Sequence, residues 1–103
     1  MKLLLLLALL LPSVALAEDY KLSIKDHRFQ PAEFAIPAGK KIKLVVENQD
    51  ATPEEFDSHD LNREKMIAGN STATLYIGPL AEGRYTFIGE FHATTALGHI
   101  IVQ

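Results

Sequence analysis

Glu90 and His92 stand two positions apart on a polar segment, Glu90-Phe91-His92-Ala93-Thr94-Thr95, that follows the alternating run Tyr85 to Gly89 and precedes Gly98-His99-Ile100-Ile101-Val102. A strand, a loop carrying a carboxylate and an imidazole, and a returning strand is an arrangement that can present metal donors. Further upstream, Glu54, Glu55, Asp57, Asp60 and Glu64 crowd together with His59 among them and Met66 just beyond. Carboxylate oxygens with imidazole nitrogen suit iron, manganese, zinc and Cu(II) better than Cu(I), and with no cysteine in the chain a thiolate site is excluded. Anionic oxygen ligands stabilise Fe(III) over Fe(II), so such a set eases iron oxidation, while the affinity order favours Cu(II) wherever copper is present. Each residue also has a plain reading: a solvated loop histidine, a strand-end acid, a solvated acidic run, or methionine as core filler. Hydrolysis is not indicated, because Ser58 and His59 are adjacent and send their side chains to opposite faces of a strand.

The elements that must position these groups read as strands. Tyr20, Leu22 and Ile24 alternate with polar residues, as do Phe34 and Ile36. Lys41 to Glu47 resumes the pattern after the Pro37-Ala38-Gly39 turn. Thr72 to Ile77 is rich in β-branched and aromatic residues and ends at Gly78-Pro79; Glu82-Gly83 then leads into the run holding Tyr85 and Phe87, and Ile100 to Val102 closes the chain. Short alternating runs between turn residues predict an all-β sandwich or barrel. Glu54 to Met66 is read as a strand plus an irregular crossover. If the strand through Phe87 continues past Gly89, Glu90 points to the face opposite residue 89.

Lys2, the apolar run Leu3 to Leu11 and the small-x-small Ala15-Leu16-Ala17 make up the parts of a secretory signal peptide, with cleavage expected after Ala17. The apolar run is shorter than the roughly 20 residues a membrane span needs, and no later stretch reaches that length. The expected product is one small exported domain, residues 18–103, with no membrane span of its own and no thiol for a disulfide or a thioether-linked lipid anchor. A formal net charge of −3 argues against a nucleic-acid partner, whose phosphates call for a basic face.

Phe29-Gln30-Pro31 followed by Ile36-Pro37-Ala38-Gly39, the strand end Val46-Glu47-Asn48, and Tyr85-Thr86-Phe87-Ile88-Gly89-Glu90-Phe91-His92 together resemble a cupredoxin over nearly the whole exported chain. The resemblance implies a Greek-key β-sandwich of about seven to eight strands. In that register Gly89 stands where the blue-copper cysteine belongs and His92 where the second histidine belongs. Pro53-Glu54-Glu55-Phe56 occupies the place of the first histidine, and Ala96 or Leu97 that of the axial methionine. Only one of the four ligands is kept, so a type 1 blue copper site is not expected. Glu54-Glu55-Phe56-Asp57-Ser58, Leu61, Glu64-Lys65, Ile77-Gly78-Pro79-Leu80 and Gly89-Glu90-Phe91-His92 resemble the subgroup related to the EfeO N-terminal domain, which accompanies bacterial iron-uptake permeases.

That resemblance implies a periplasmic protein binding Cu(II) or iron, Fe(II) or Fe(III), through Glu55, Glu90 and His92, with Glu54 as an alternative to Glu55. Asp57 and His59 could extend the acidic face or form a second site, and Met66 could serve as a soft copper ligand. The implied role is accessory: oxidising Fe(II), in the manner of a ferroxidase, or passing Fe(III) to an iron-permease membrane protein with other periplasmic iron-uptake components. Two alternatives stand beside it. One is a copper carrier without oxidase activity, holding Cu(I) through Met66 and His92; the other is a metal-free β-sandwich interaction module docking through its acidic face.

Overall fold

A computed structural model describes residues 18–103; the signal-peptide reading of residues 1–17 lies outside the described residues. The strands are β1 (Asp19–Lys25), β2 (Arg28–Gln30), β3 (Glu33–Ile36), β4 (Ile42–Asn48), β5 (Glu54–Ser58), β6 (Arg63–Ile67), β7 (Ser71–Ile77), β8 (Gly83–Gly89) and β9 (Leu97–Val102). One sheet has the order β2-β1-β4-β7, the other β3-β9-β8-β5-β6. Parallel pairing of β1 with β4 and of β3 with β9 sits among antiparallel pairs, so the chain crosses between the sheets rather than meandering within them.

Alternation in sequence becomes alternation in burial. Leu22 and Ile24 of β1, Ile42, Leu44 and Val46 of β4, and Leu75 and Ile77 of β7 face Ile36, Phe56, Ile67, Phe87, Ile100 and Val102 of the other sheet. Phe29, Phe56 and Phe87 form the aromatic centre, with ring centroids 4.9 Å apart for Phe29 and Phe87 and 5.1 Å for Phe56 and Phe87. This cluster lies under β5 and β8, the strands that lead to the candidate donors.

Two expectations need correction. The described residues form nine strands against the seven to eight expected, and the expected crossover after β5 contains a strand: β5 and β6 form an antiparallel pair running from Glu54↔Ile67 to Ser58↔Arg63. β6 was hidden because it is an edge strand whose Arg63, Glu64, Lys65 and Met66 are all exposed, leaving no alternation to detect.

Candidate metal centre

Asn48 sets the entry to β5. Its buried amide donates to the carbonyls of Thr52, Ile67 and Ala68, and its Oδ1 accepts the Asp50 amide, which folds the connection between β4 and β5 tightly. Within β5, Glu54, Phe56 and Ser58 face inward, whereas Glu55 and Asp57 face out. Of the two adjacent glutamates it is therefore Glu54, only 1% exposed, that enters the interior. Its Oε1 accepts the backbone amides of Glu55 and Phe91, both at 2.9 Å, and its Oε2 lies 2.6 Å from His92 Nδ1. A buried carboxylate so bonded is satisfied without a cationic partner. A proton lies between Nδ1 and Oε2, and an ion held by both His92 and Glu54 would take its place.

Gly89 explains why that carboxylate fits. A Cβ at this position would lie 2.7 Å from both Glu54 Cδ and Ala96 Cβ, so the absent side chain and the Glu54 carboxylate compete for one volume. After Gly89 the chain makes a 3-10 turn, Glu90–His92, closed by the amides of Thr95 and Ala96 donating to the His92 carbonyl. This turn aims the His92 ring back at Glu54.

A second imidazole arrives from the other sheet. β1 and β2 are joined by Asp26-His27 alone, between the paired Lys25 and Arg28, and both residues have positive φ, 53° and 58°. Neither is glycine, so this two-residue turn carries conformational strain. It is held from two sides: Asp50 accepts the amides of Asp26 (2.8 Å) and His27 (3.0 Å), and Thr95 Oγ1 donates to the His27 carbonyl at 2.6 Å. The His27 ring stacks on His92 with centroids 3.5 Å apart and planes 12° from parallel. His27, Glu54 and His92 each offer a ligand atom within 4.8 Å of the others.

The His27 amide donating to Asp50 holds that carboxyl below its ordinary range against the opposing effect of burial, helped by the Asp26 amide and the charge of the His27 and His92 rings. A depressed carboxyl stabilises the fold above its unfolded value, and this contribution is lost as pH falls through the folded one. Acid should therefore loosen the His27 turn only as pH falls beneath the ordinary carboxyl range of about 4, seen as loss of amide-exchange protection at Asp26 and His27. Asp50→Ala, which leaves two amides without that acceptor, is expected to cost about 1–3 kcal/mol in denaturant unfolding at neutral pH.

The remaining candidates gather on the outer face of the β6-β5-β8 edge. Glu55, Asp57 and Glu64 have carboxylates within 4.8 Å of one another, and Met66 pairs with Glu55 across the strands. Glu90 is exposed and on this side too: a hydrogen bond to Asp57 and that residue's charge hold its carboxyl above the ordinary range. His59 lies just past β5, exposed. The expected set thus separates. His92 is joined by Glu54 rather than Glu55, and Glu90, Asp57 and Met66 stand with Glu55 on the opposite face of β5 from Glu54, so Met66 and His92 are not brought together there. The raised Glu90 carboxyl stabilises while it holds its proton, at low pH, and that contribution is lost as pH rises through the folded value. At pH 7 Glu90→Gln should accordingly raise the Tm, and added salt should raise it more in the parent than in the variant.

His27 is not among the donors expected from the sequence. The sign available for Glu54 was parity: it is two residues from the apolar Phe56 and must share its face.

A type 1 copper centre does not fit this loop, since the chain has no cysteine and the volume beside Gly89 is filled. Two sheets around an aromatic core, with an acid–imidazole group at one end, define a β-sandwich of the cupredoxin class without the thiolate. The chain belongs to the cupredoxin-like domain family, whose model matches residues 1–102. It is 44% identical over 85 residues to an uncharacterized protein, RP394, of Rickettsia prowazekii (strain Madrid E), an alignment covering 82% of this chain and 68% of that one. Among solved structures it resembles auracyanin A, a "blue" copper protein from Chloroflexus aurantiacus, with a TM-score of 0.70 at 14% identity, covering 82% of this chain and 98% of that one. It also resembles a chain of a heme-copper terminal oxidase dimer, with a TM-score of 0.70 at 19% identity, covering 84% of this chain but only 65% of that one. At these identities the structural likenesses show the fold.

Proposed function

We propose that this is an exported, periplasmic metal-binding protein that holds a copper or iron ion at Glu54 and His92 and assists high-affinity iron uptake. The observation that carries the reading is the buried Glu54 carboxylate beside Gly89, fixed by two amides and 2.6 Å from His92. Replacing a thiolate by a carboxylate moves the site from soft to hard donors, which suits Cu(II) and iron over Cu(I). In this role Glu54 supplies anionic oxygen and keeps the His92 ring oriented, His92 supplies nitrogen, and the sheet above excludes water from the carboxylate's inner side. A bound ion would contribute Lewis acidity and, for copper or iron, one-electron chemistry. The link to iron uptake, to a permease and to Fe(II) oxidation rests on the EfeO-type resemblance of Gly89-Glu90-Phe91-His92 and Glu54-Glu55-Phe56-Asp57-Ser58.

The test is metal content after purification from the native compartment, paired with iron accumulation by cells lacking the protein under iron limitation. The reading expects copper or iron near one equivalent and impaired accumulation. Metal-free protein with unchanged accumulation contradicts it. The outer acidic face supports a second reading, a metal-free docking module; it expects no thermal shift with any metal and partner binding that weakens with salt.

A further inference from the structure

We propose that His27, whose ring stacks on His92, is a third metal donor at this centre. The inference rests on the Glu54–His92 reading and adds to it the turn between β1 and β2. Three observations carry it.

The first is strain kept in place. Two consecutive non-glycine residues at positive φ are costly, on the order of 1–3 kcal/mol each, and a glycine at either position would relieve this turn. Instead a half-buried carboxylate, Asp50, and a hydroxyl, Thr95, anchor His27 through both its amide and its carbonyl. Thr95 belongs to the same loop as His92 and also approaches the His92 carbonyl, at 3.4 Å. The anchors therefore fix the two histidines to each other across the two sheets.

The second is the donor set. Two imidazoles and one carboxylate leave coordination positions open, and this is the set that non-heme Fe(II) sites use; it also suits Zn(II) and Cu(II). His27, Glu54 and His92 supply it from three separate segments within 4.8 Å.

The third is the way the two rings meet. An imidazole nitrogen binds a metal in the plane of its ring. With planes 12° from parallel and centroids 3.5 Å apart, no single ion lies in both planes. Cation binding through both rings must part the stack, so loading the site reports on His27 even though it lies on the other sheet from Glu54.

The experiment titrates the chain with Cu(II) and with Zn(II). In the Cu(II) form, electron spin echo modulation counts coordinated imidazoles; in the Zn(II) form, long-range proton–nitrogen-15 spectra follow both ring nitrogens of each histidine. Two coordinated imidazoles, with nitrogen shifts at both His27 and His92, are expected. His27→Asn, whose side chain tolerates positive φ, should retain the metal-free fold, lose one imidazole from the count and weaken binding by at least about tenfold. One imidazole in the parent, or shifts confined to His92, overturns the inference without variants, and unchanged affinity in His27→Asn does the same. These failures leave the Glu54–His92 site standing as long as Glu54→Gln and His92→Ala lose binding. Unchanged binding in those two variants brings down the underlying reading as well.

Discussion

Glu54→Ala is expected to destabilise the domain by about 2–5 kcal/mol through the cavity it leaves and the donors it orphans, a large part of the roughly 5–15 kcal/mol that holds a domain of this size together. The substitution removes the acceptor of the Glu55 and Phe91 amides and the partner of His92 Nδ1, and empties volume among Phe91, Ala96 and Gly89. Buried donors left without acceptors cost more than the net worth of the bonds they made. Urea unfolding measures the change. Glu54→Gln separates structure from chemistry: its amide keeps the shape and one acceptor oxygen, so most of the stability should survive while metal affinity falls. A cost below about 1 kcal/mol for Glu54→Ala would mean that the carboxylate is not the keystone of this end of the sandwich.

Gly89→Cys is the second large effect, and its sign is the informative part. Cysteine at this position would supply the thiolate that a type 1 site needs, yet its Cβ would meet Glu54 Cδ and Ala96 Cβ at 2.7 Å. Overpacking of this kind costs about 1–3 kcal/mol. Because the cysteine and the Glu54 carboxylate claim the same space, the double substitution Gly89→Cys with Glu54→Ala should be less damaging than the sum of the singles, with a coupling of about 1–3 kcal/mol in a double-mutant cycle. Additive costs would show that the two side chains do not exclude one another. The small size of Gly89 thus admits a buried acid beside it.

Most of the sandwich was legible because its strands bury one face, and period-two alternation marks such strands directly in β1, β4, β7 and β8. His92 was legible through the resemblance carried by Gly89-Glu90-Phe91-His92, whereas parity did not reach Glu90, because β8 ends at Gly89 and a 3-10 turn follows. What escaped has physical causes. β6 buries only Ile67 among its residues and so carries no pattern. Glu54 and Glu55 are chemically identical, and only the phase set by Phe56 tells them apart. His27 depends on a contact between turns from different sheets, created by Asp50 and Thr95, and nothing local to Asp26-His27 announces it.

Calorimetric titration of the metal-free protein with Cu(II), and with Fe(II) under anaerobic conditions, tests the central claim most directly when the parent is compared with Glu54→Gln, His92→Ala and Glu55→Gln. The account predicts one tight site in the parent and in Glu55→Gln, and its loss in Glu54→Gln and His92→Ala. Parent-like binding in Glu54→Gln and His92→Ala, with loss confined to Glu55→Gln, would contradict it and move the metal to the outer acidic face.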